Sequence, residues 1–386
     1  VIELSILMPC LNEAETVGAC IAKAREALNR YDIEGEVIVA DNGSEDGSVQ
    51  IAESCGARVV HVRHKGYGAA LIAGIQAAEG RYVLMGDSDL SYDFGELQSF
   101  LAYLRKGYVL VMGTRIRGKI LPGAMPALHR YFGNPVLTLL GNLFFQTRLS
   151  DYHCGLRGFD RETILNMGLR TPGMEFATEM IAKTALRRLP IYEVPITYYP
   201  DGRSRAPHLR TWHDGWRHLR FMLLLSPAWT FLYPGLLLIL AGLFGMGITL
   251  PGTFRIGELG LDVHTLLVSG VSVIIGFQIL TFWLAARLFA ASLNLIPLPK
   301  ALFQVMKRMP LGTGLIVCVI MVSVGILPLI ESVSLWQGTG FRDLNYQVVL
   351  RLLIPGLVAI ALGIQTLVAS FVVSLLNFAE HMIIEG

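Results

Sequence analysis

The chain is poor in cysteine and poor in charge. Its five cysteines, Cys10, Cys20, Cys55, Cys154 and Cys318, form no CxxC pair and have no histidine spacing suited to zinc. That argues against a disulfide scaffold or zinc module and for reduced thiols. Only 16% of the residues are charged and the net charge is +2. No basic stripe interleaved with aromatics runs through the front of the chain, so nucleic-acid binding is excluded. Neither the Walker spacing nor GxGxxG occurs, which excludes a P-loop and a Rossmann dinucleotide site. Val1 leads into an apolar stretch, Leu4 to Met8, without a basic n-region or a small-residue cleavage site. The expectation is a front domain on the cytoplasmic side.

What the chain has in excess is apolar surface, with 53% hydrophobic residues and a mean hydropathy of +0.52. The excess is uneven: only seven of the 32 Lys/Arg and six of the 30 Asp/Glu lie from Trp229 onward. Four runs there, 229–250, 263–286, 311–330 and 352–379, contain no Asp, Glu, Lys or Arg. Each is long enough for a ~30 Å hydrocarbon core, which needs about twenty helical residues. The loop after the second run carries Arg287, Lys300, Lys307 and Arg308, whereas the loops after the first and third carry Arg255 and Arg342. By the positive-inside bias, the front domain, this loop and the C-terminus are cytoplasmic, at a bacterial inner membrane or its equivalent. Before the first run, within 206–228, Trp212, Trp216, Leu219 and Leu223 recur at helical spacing with Arg217 and Arg220 off that stripe. This predicts a juxtamembrane amphipathic helix in the headgroup layer.

Residues 1–205 read differently. Strand-like runs at Leu4 to Met8, Glu36 to Ala40, Arg58 to Val62, Tyr82 to Met85 and Tyr108 to Met112 alternate with helical stretches. Those stretches are Glu13 to Asn29, Asp46 to Cys55, Tyr67 to Ala78 and Gly95 to Arg105, with another helix around Glu175 to Arg188. The alternation predicts an α/β domain with a mostly parallel sheet. Ile191 to Ile196 contains Pro195 and reads as an edge strand.

The fourth strand ends in Gly86-Asp87-Ser88-Asp89. Side chains alternate along an extended segment, so Asp87 and Asp89 point the same way. Two carboxylates at a strand's C-terminal end suit Mg²⁺ or Mn²⁺ shared with a diphosphate; a solvated acidic turn is the plainer reading. The first strand ends in Pro9-Cys10-Leu11-Asn12-Glu13 and the second in Asp41-Asn42-Gly43-Ser44. In these strand-to-helix turns Ser44 is a candidate helix N-cap, and Asp41 can accept from a base or ribose. Lys65 sits in Lys65-Gly66-Tyr67-Gly68, at a helix N-terminus where it can meet a phosphate. Past the fifth strand, Arg115, Arg117, Lys119, Arg130 and Asn134 gather cationic and polar groups able to hold an acceptor phosphate, unless they form only a solvated basic loop. Leu128 to Phe145, short and apolar, reads as an interfacial element.

Taken in order, PCLNE, DNGSEDG and KGYGAALIAGIQAAEGRYVLMGDSD resemble the inverting glycosyltransferases of GT-A fold, and among them the polyprenyl-phosphate glycosyltransferases. The resemblance covers nearly the whole front domain. It implies a GT-A nucleotide-sugar-binding domain followed by an all-α four-helix transmembrane domain. Pro9, Asn12, Glu13, Asp41, Lys65 and Asp87 would line the nucleotide-sugar pocket, with Asp87 and Asp89 on the metal. Many relatives carry Gln two residues beyond the second Asp; here Ser91 stands there as a weaker third ligand. The resemblance also implies that Arg115 and Arg130 bind the lipid phosphate, with Asn134, Arg203 and Arg205 as further acceptor-side candidates. Asp151 resembles a family position before Gly-Phe-Arg and is given an acceptor-side role, whereas His153 has no nucleophile beside it and supports packing.

The expected activity is therefore inverting, metal-dependent transfer of one hexose to a polyprenyl phosphate, undecaprenyl or dolichyl. UDP-glucose stands ahead of GDP-mannose as donor, and membrane lipids and further copies of the chain are the other partners considered. A processive polysaccharide synthase shares the front motifs, but its Gln-x-x-Arg-Trp motif is absent from this sequence. A non-catalytic nucleotide-binding scaffold is the remaining alternative.

Overall fold

A computed structural model describes residues 2–204, 211–293, 295–297, 299, 302, 304 and 311–384. Arg205 lies outside the described residues. The chain divides into two compact units, Val1–Leu225 and Ser226–Gly386.

The first unit is built on a seven-stranded sheet in the order β3-β2-β1-β4-β6-β5-β7. The strands are β1 (Leu4–Cys10), β2 (Gly35–Asp41), β3 (Arg58–His61), β4 (Tyr82–Met85), β5 (Leu110–Ile120), β6 (Arg157–Asp160) and β7 (Ile191–Tyr198). The helices of this unit are α1 (Val17–Arg30), α2 (Ser48–Ser54), α3 (Tyr67–Ala77), α4 (Leu97–Arg105), α5 (Asn134–Phe145), α6 (Arg161–Asn166), α7 (Phe176–Leu186) and α8 (Thr211–Leu225); α5 and α8 pack on each other and on α7. A strand covered on both faces needs a continuous apolar run, and all four residues of β4, Tyr-Val-Leu-Met, are buried. Ile6, Met8, Val39, Leu84, Phe94, Phe100 and Val111 belong to one core.

Register places the site. Leu7 lies opposite Met85, and Cys10 lies opposite Asp41, all in parallel pairing. The C-terminal ends of β1, β2 and β4 therefore emerge at one edge, carrying Asn12, Asp41 and Asp87. The exception to parallel pairing is β6, which runs antiparallel between β4 and β5 with Arg157 opposite both Met85 and Met112. Because β6 enters from that same edge, residues 150–156 are delivered beside the ends of β4 and β5. No apolar run in the sequence marks β6, and the strand expected to end at Met112 continues to Ile120. β7 lies at the sheet edge, with Pro195 opposite Thr114.

Among the described residues the second unit has four long apolar helices, Ala228–Thr249, Val263–Ser292, Leu311–Gly338 and Tyr346–Leu376, each long enough to cross a membrane. Glycines let the helix backbones meet: a Cβ at Gly276 would stand 2.7 Å from Gly235 O, and one at Gly356 would stand 2.7 Å from Gly325 O. The helices outrun the charge-free runs. Glu331 falls within the third, and Arg351 falls within the fourth, paired with Asp262 at the start of the second.

Candidate active site

The turns after β1 and β2 are stitched to each other. Asn12, in the left-handed region at φ 58°, accepts from Glu45 N at 2.8 Å, and its own N–H donates to Ser44 Oγ at 2.9 Å. Glu13 N donates to Ser48 Oγ at 2.7 Å. Ser44 is therefore a crosslink and not a helix cap; the helix begins at Ser48 after Gly47. Asp41 accepts from Gly43 N at 3.1 Å and Ser44 N at 3.0 Å, an Asx turn that fixes the carboxylate. Pro9 contributes its carbonyl, which accepts from Ser88 Oγ at 2.8 Å and so ties β1 to the tip of β4. Lys65 is exposed, and its ammonium donates to Asn42 O at 2.9 Å.

At the tip of β4 the two aspartates have different partners. Asp87 Oδ1 accepts from the Tyr67 hydroxyl at 3.1 Å. Asp89 Oδ1 accepts from Ser91 N at 3.0 Å and from the Ser91 hydroxyl, while Asp89 Oδ2 accepts from Arg203 at 2.5 Å. Ser91 thus orients Asp89. Arg203 also donates to Glu13 Oε1 at 3.1 Å, which ties it to the turn after β1. Burial first, and the Asp89 charge second, push the Asp87 carboxyl up to about 7.

A cation fits this donor set. Among the described residues no three His, Cys, Asp or Glu side chains gather into a ready-made metal cage. The Asp89 charge raises the cost of ionising Asp87, and the two carboxylates are instead half a site, of the kind Mg²⁺ completes with substrate phosphate and water. Asp87 and Asp89 would hold such an ion.

Arg115 and Asp151 meet as a buried, two-pronged pair. Arg115 Nε and Nη2 donate to the two Asp151 oxygens at 2.7 and 2.8 Å, and Arg115 N donates at 3.1 Å. The Arg115 guanidinium also sits 5.1 Å from the Tyr198 ring centre. Burial favours the neutral acid at Asp151, but the guanidinium outweighs it and holds the carboxyl below the usual carboxylate range. Glu193, on β7, braces the same loop by accepting from Ser150 N at 2.7 Å and Asp151 N at 3.2 Å.

Arg130 is exposed, with its guanidinium 5.4 Å from the Tyr131 ring centre. Asn134 donates to Met125 Sδ at 3.6 Å. Neither makes a hydrogen bond to Asp87 or Asp89, whose partners are Tyr67, Ser91 and Arg203. His153 packs edge-on against His218 at 4.6 Å, and burial followed by the His218 charge keeps it well below the usual histidine range. Neither ring nitrogen of His153 has a partner among the described residues.

Tyr67 and Glu193 are site residues that the sequence pattern alone does not single out. Tyr67 stands inside the KGYG stretch, and a hydroxyl that opens a helix just past a strand-end turn is the signal that marks it.

Residues 5–167 match the family described as Glycosyl transferase family 2. Residues 284–377 match the Glycosyltransferase family 2 C-terminal transmembrane region. The low-salt glycan biosynthesis hexosyltransferase Agl6 of Haloferax volcanii is 40% identical over 280 residues, covering 72% of this chain and 67% of that protein. A dolichyl-phosphate hexose transferase of the same organism is 32% identical over 206 residues, covering 53% and 84%. Among solved structures, glucosyl-3-phosphoglycerate synthase from Mycobacterium tuberculosis with Mn²⁺, UDP and glucosyl-3-phosphoglycerate superposes with a TM-score of 0.46 at 22% identity, covering 58% and 80%.

A mostly parallel sheet with two acidic residues at its β4 tip, four helices among the described residues long enough to cross a membrane, and these family matches together define a membrane glycosyltransferase. The chain belongs to glycosyltransferase family 2.

Proposed function

We propose that the protein transfers one hexose from a nucleotide diphosphate sugar to the phosphate of a membrane polyprenol, with inversion. The carrying observation is the pair Asp87 and Asp89 at the end of β4, beside Glu13, Asp41 and Arg203. The donor is UDP-glucose ahead of GDP-mannose. A Mg²⁺ or Mn²⁺ ion at the two aspartates would supply charge stabilisation for the diphosphate as it leaves.

The chain's own residues do the rest. Asp41 and the crosslinked turns hold the nucleoside end, and Arg203 balances the acids of the site. The acceptor phosphate has a second pKa of about 6 and is already a competent nucleophile near neutrality, so it needs placement more than deprotonation. Arg130 serves that placement from its exposed position. Arg115 is neutralised by Asp151 and shapes the acceptor wall. One displacement by the phosphate oxygen breaks the anomeric bond and inverts the centre.

The apolar faces of the first unit support a lipid acceptor. Tyr131, Phe132 and Leu139 are exposed around α5, and Trp212 and Trp216 are exposed on α8, which packs against α5. Such side chains suit the headgroup layer. With the basic residues Arg287, Lys300, Lys307 and Arg308 on the inner side, the catalytic unit is cytoplasmic. The Haloferax relatives, named as hexosyl and dolichyl-phosphate hexose transferases, support the same reading. Purified protein given labelled donor and polyprenyl phosphate should form a lipid-linked monosaccharide. A polymer would instead support the processive synthase.

A further inference from the structure

Asp87 is held from a long way off. Its Oδ1 takes the Tyr67 hydroxyl at 3.1 Å. Its Oδ2 faces Gly155, where a Cβ would stand 2.8 Å away, so a side chain there would crowd this oxygen. Tyr67 opens α3 from a turn that is clamped on both sides. On one side Asn42 accepts from Gly66 N at 2.6 Å, donates to His64 O at 2.8 Å and takes Lys65 Nζ on its carbonyl at 2.9 Å. On the other side Ala69 N donates to Pro172 O at 3.1 Å. The contact is backbone to backbone. A Cβ at Gly66 would meet Pro172 O at 2.2 Å, and one at Gly68 would meet Thr171 O at 2.2 Å. Gly66 also has φ +137°, so a side chain there is excluded twice.

Segment 170–172 is itself anchored by a buried ion pair. Glu179 accepts from Arg170 N at 3.0 Å, Thr171 N at 2.9 Å and Thr171 Oγ1 at 2.6 Å. Lys183 Nζ stands 2.8 Å from Glu179, each side chain about 2% exposed, and donates to Gly168 O at 2.7 Å. Stability alone is served as well by apolar residues in such a place, because desolvating two charges costs about as much as their attraction returns. What the pair adds is a fixed position for the backbone that meets Gly66 and Gly68.

We propose that Tyr67 is a positioning residue for the metal and diphosphate: its hydroxyl pins Oδ1 of Asp87 and leaves Oδ2 to the cation, and the Glu179–Lys183 pair sets where that hydroxyl stands. The proposal rests on the reading of Asp87 and Asp89 as the metal-holding pair.

Titration calorimetry on the full chain in detergent tests it, using UDP or GDP, whichever the wild type binds, with Mn²⁺ and again with EDTA. The wild type is expected to bind more tightly with Mn²⁺, and Asp89→Ala is expected to erase that gain. If the wild type shows no gain, the metal-site reading itself fails, whatever Tyr67 does. Given the gain, Tyr67→Phe should cut it by about tenfold, the worth of one hydrogen bond to a charged group, while the affinity in EDTA stays at the wild-type value. An undiminished gain in Tyr67→Phe overturns the proposal. Glu179→Gln keeps the shape and removes the charge pair; it should lower the gain severalfold at unchanged EDTA affinity. A full gain in this variant overturns the anchoring role, and it decides the matter even where Tyr67→Phe does not fold.

Discussion

Arg203 donates to Asp89 Oδ2 at 2.5 Å, across 114 residues of sequence. Its other terminal nitrogen reaches Glu13 Oε1 at 3.1 Å, so one guanidinium spans the acids after β1 and β4. On the proposed reading of Asp89 and Glu13 as donor-side residues, this guanidinium serves the donor's diphosphate and not the lipid phosphate. Arg203→Ala should raise the donor KM by about tenfold, the loss of one charge-assisted contact, and leave the acceptor KM near its wild-type value. Steady-state kinetics with each substrate varied in turn checks this. A rise confined to the acceptor would return Arg203 to the lipid side.

The Arg115–Asp151 pair makes a prediction about stability. Asp151→Ala leaves a buried guanidinium without its counter-charge, at a cost of about 3–5 kcal/mol, whereas the double variant Arg115→Met/Asp151→Leu should lose less. Melting curves in detergent measure both. The folded Asp151 carboxyl lies below its unfolded value. Its contribution is therefore complete above the unfolded pKa of about 3.9 and disappears as pH falls through the lower folded value. The wild type should lose melting temperature in that acid window, and the double variant should lack this component.

Arg130 is exposed and has no carboxylate partner among the described residues. Arg130→Ala should leave melting temperature and donor KM unchanged and raise the acceptor KM by about tenfold, as expected for one arginine–phosphate contact. An unchanged acceptor KM removes Arg130 from the acceptor site.

Leu139 is 67% exposed and Trp212 is 75% exposed on the faces assigned to the headgroup layer. Leu139→Glu and Trp212→Glu should not disturb folding, since neither side chain is in a core. They should lower transfer to a long polyprenyl phosphate in vesicles severalfold and spare transfer to a short, water-soluble prenyl phosphate. Equal loss on both acceptors would contradict a membrane role for these faces.

Legibility in the sequence follows sequence distance. The apolar runs of β1, β2 and β4 and the Asp87/Asp89 spacing are local patterns, and they predict both the parallel sheet and the acidic tip. β6 is four residues, Arg-Gly-Phe-Asp, with no apolar run to announce it. Its Arg157 is fully buried because carbonyls of Cys154, Ala177 and Tyr152 accept from it at 2.8, 2.6 and 2.9 Å. Without β6 the meeting of Arg115 with Asp151 cannot be foreseen, and both read as separate acceptor-side groups. Arg203 is likewise read from its charge, while its partner is set by tertiary fold. The membrane helices are legible from hydropathy, and their ends are not: Arg351 is tolerated inside a helix because Asp262 pairs with it.

On the proposed mechanism, Asp87 and Asp89 together make the transfer of a hexose to a lipid phosphate depend on a divalent cation. The direct measurement is labelled-sugar incorporation into polyprenyl phosphate by the purified full chain, wild type against Asp89→Asn, with EDTA and with Mn²⁺ restored. The wild type should form a lipid-linked monosaccharide, lost in EDTA and regained with Mn²⁺, and folded Asp89→Asn should form none. Wild-type incorporation that persists in EDTA, or full activity in Asp89→Asn, would contradict this mechanism.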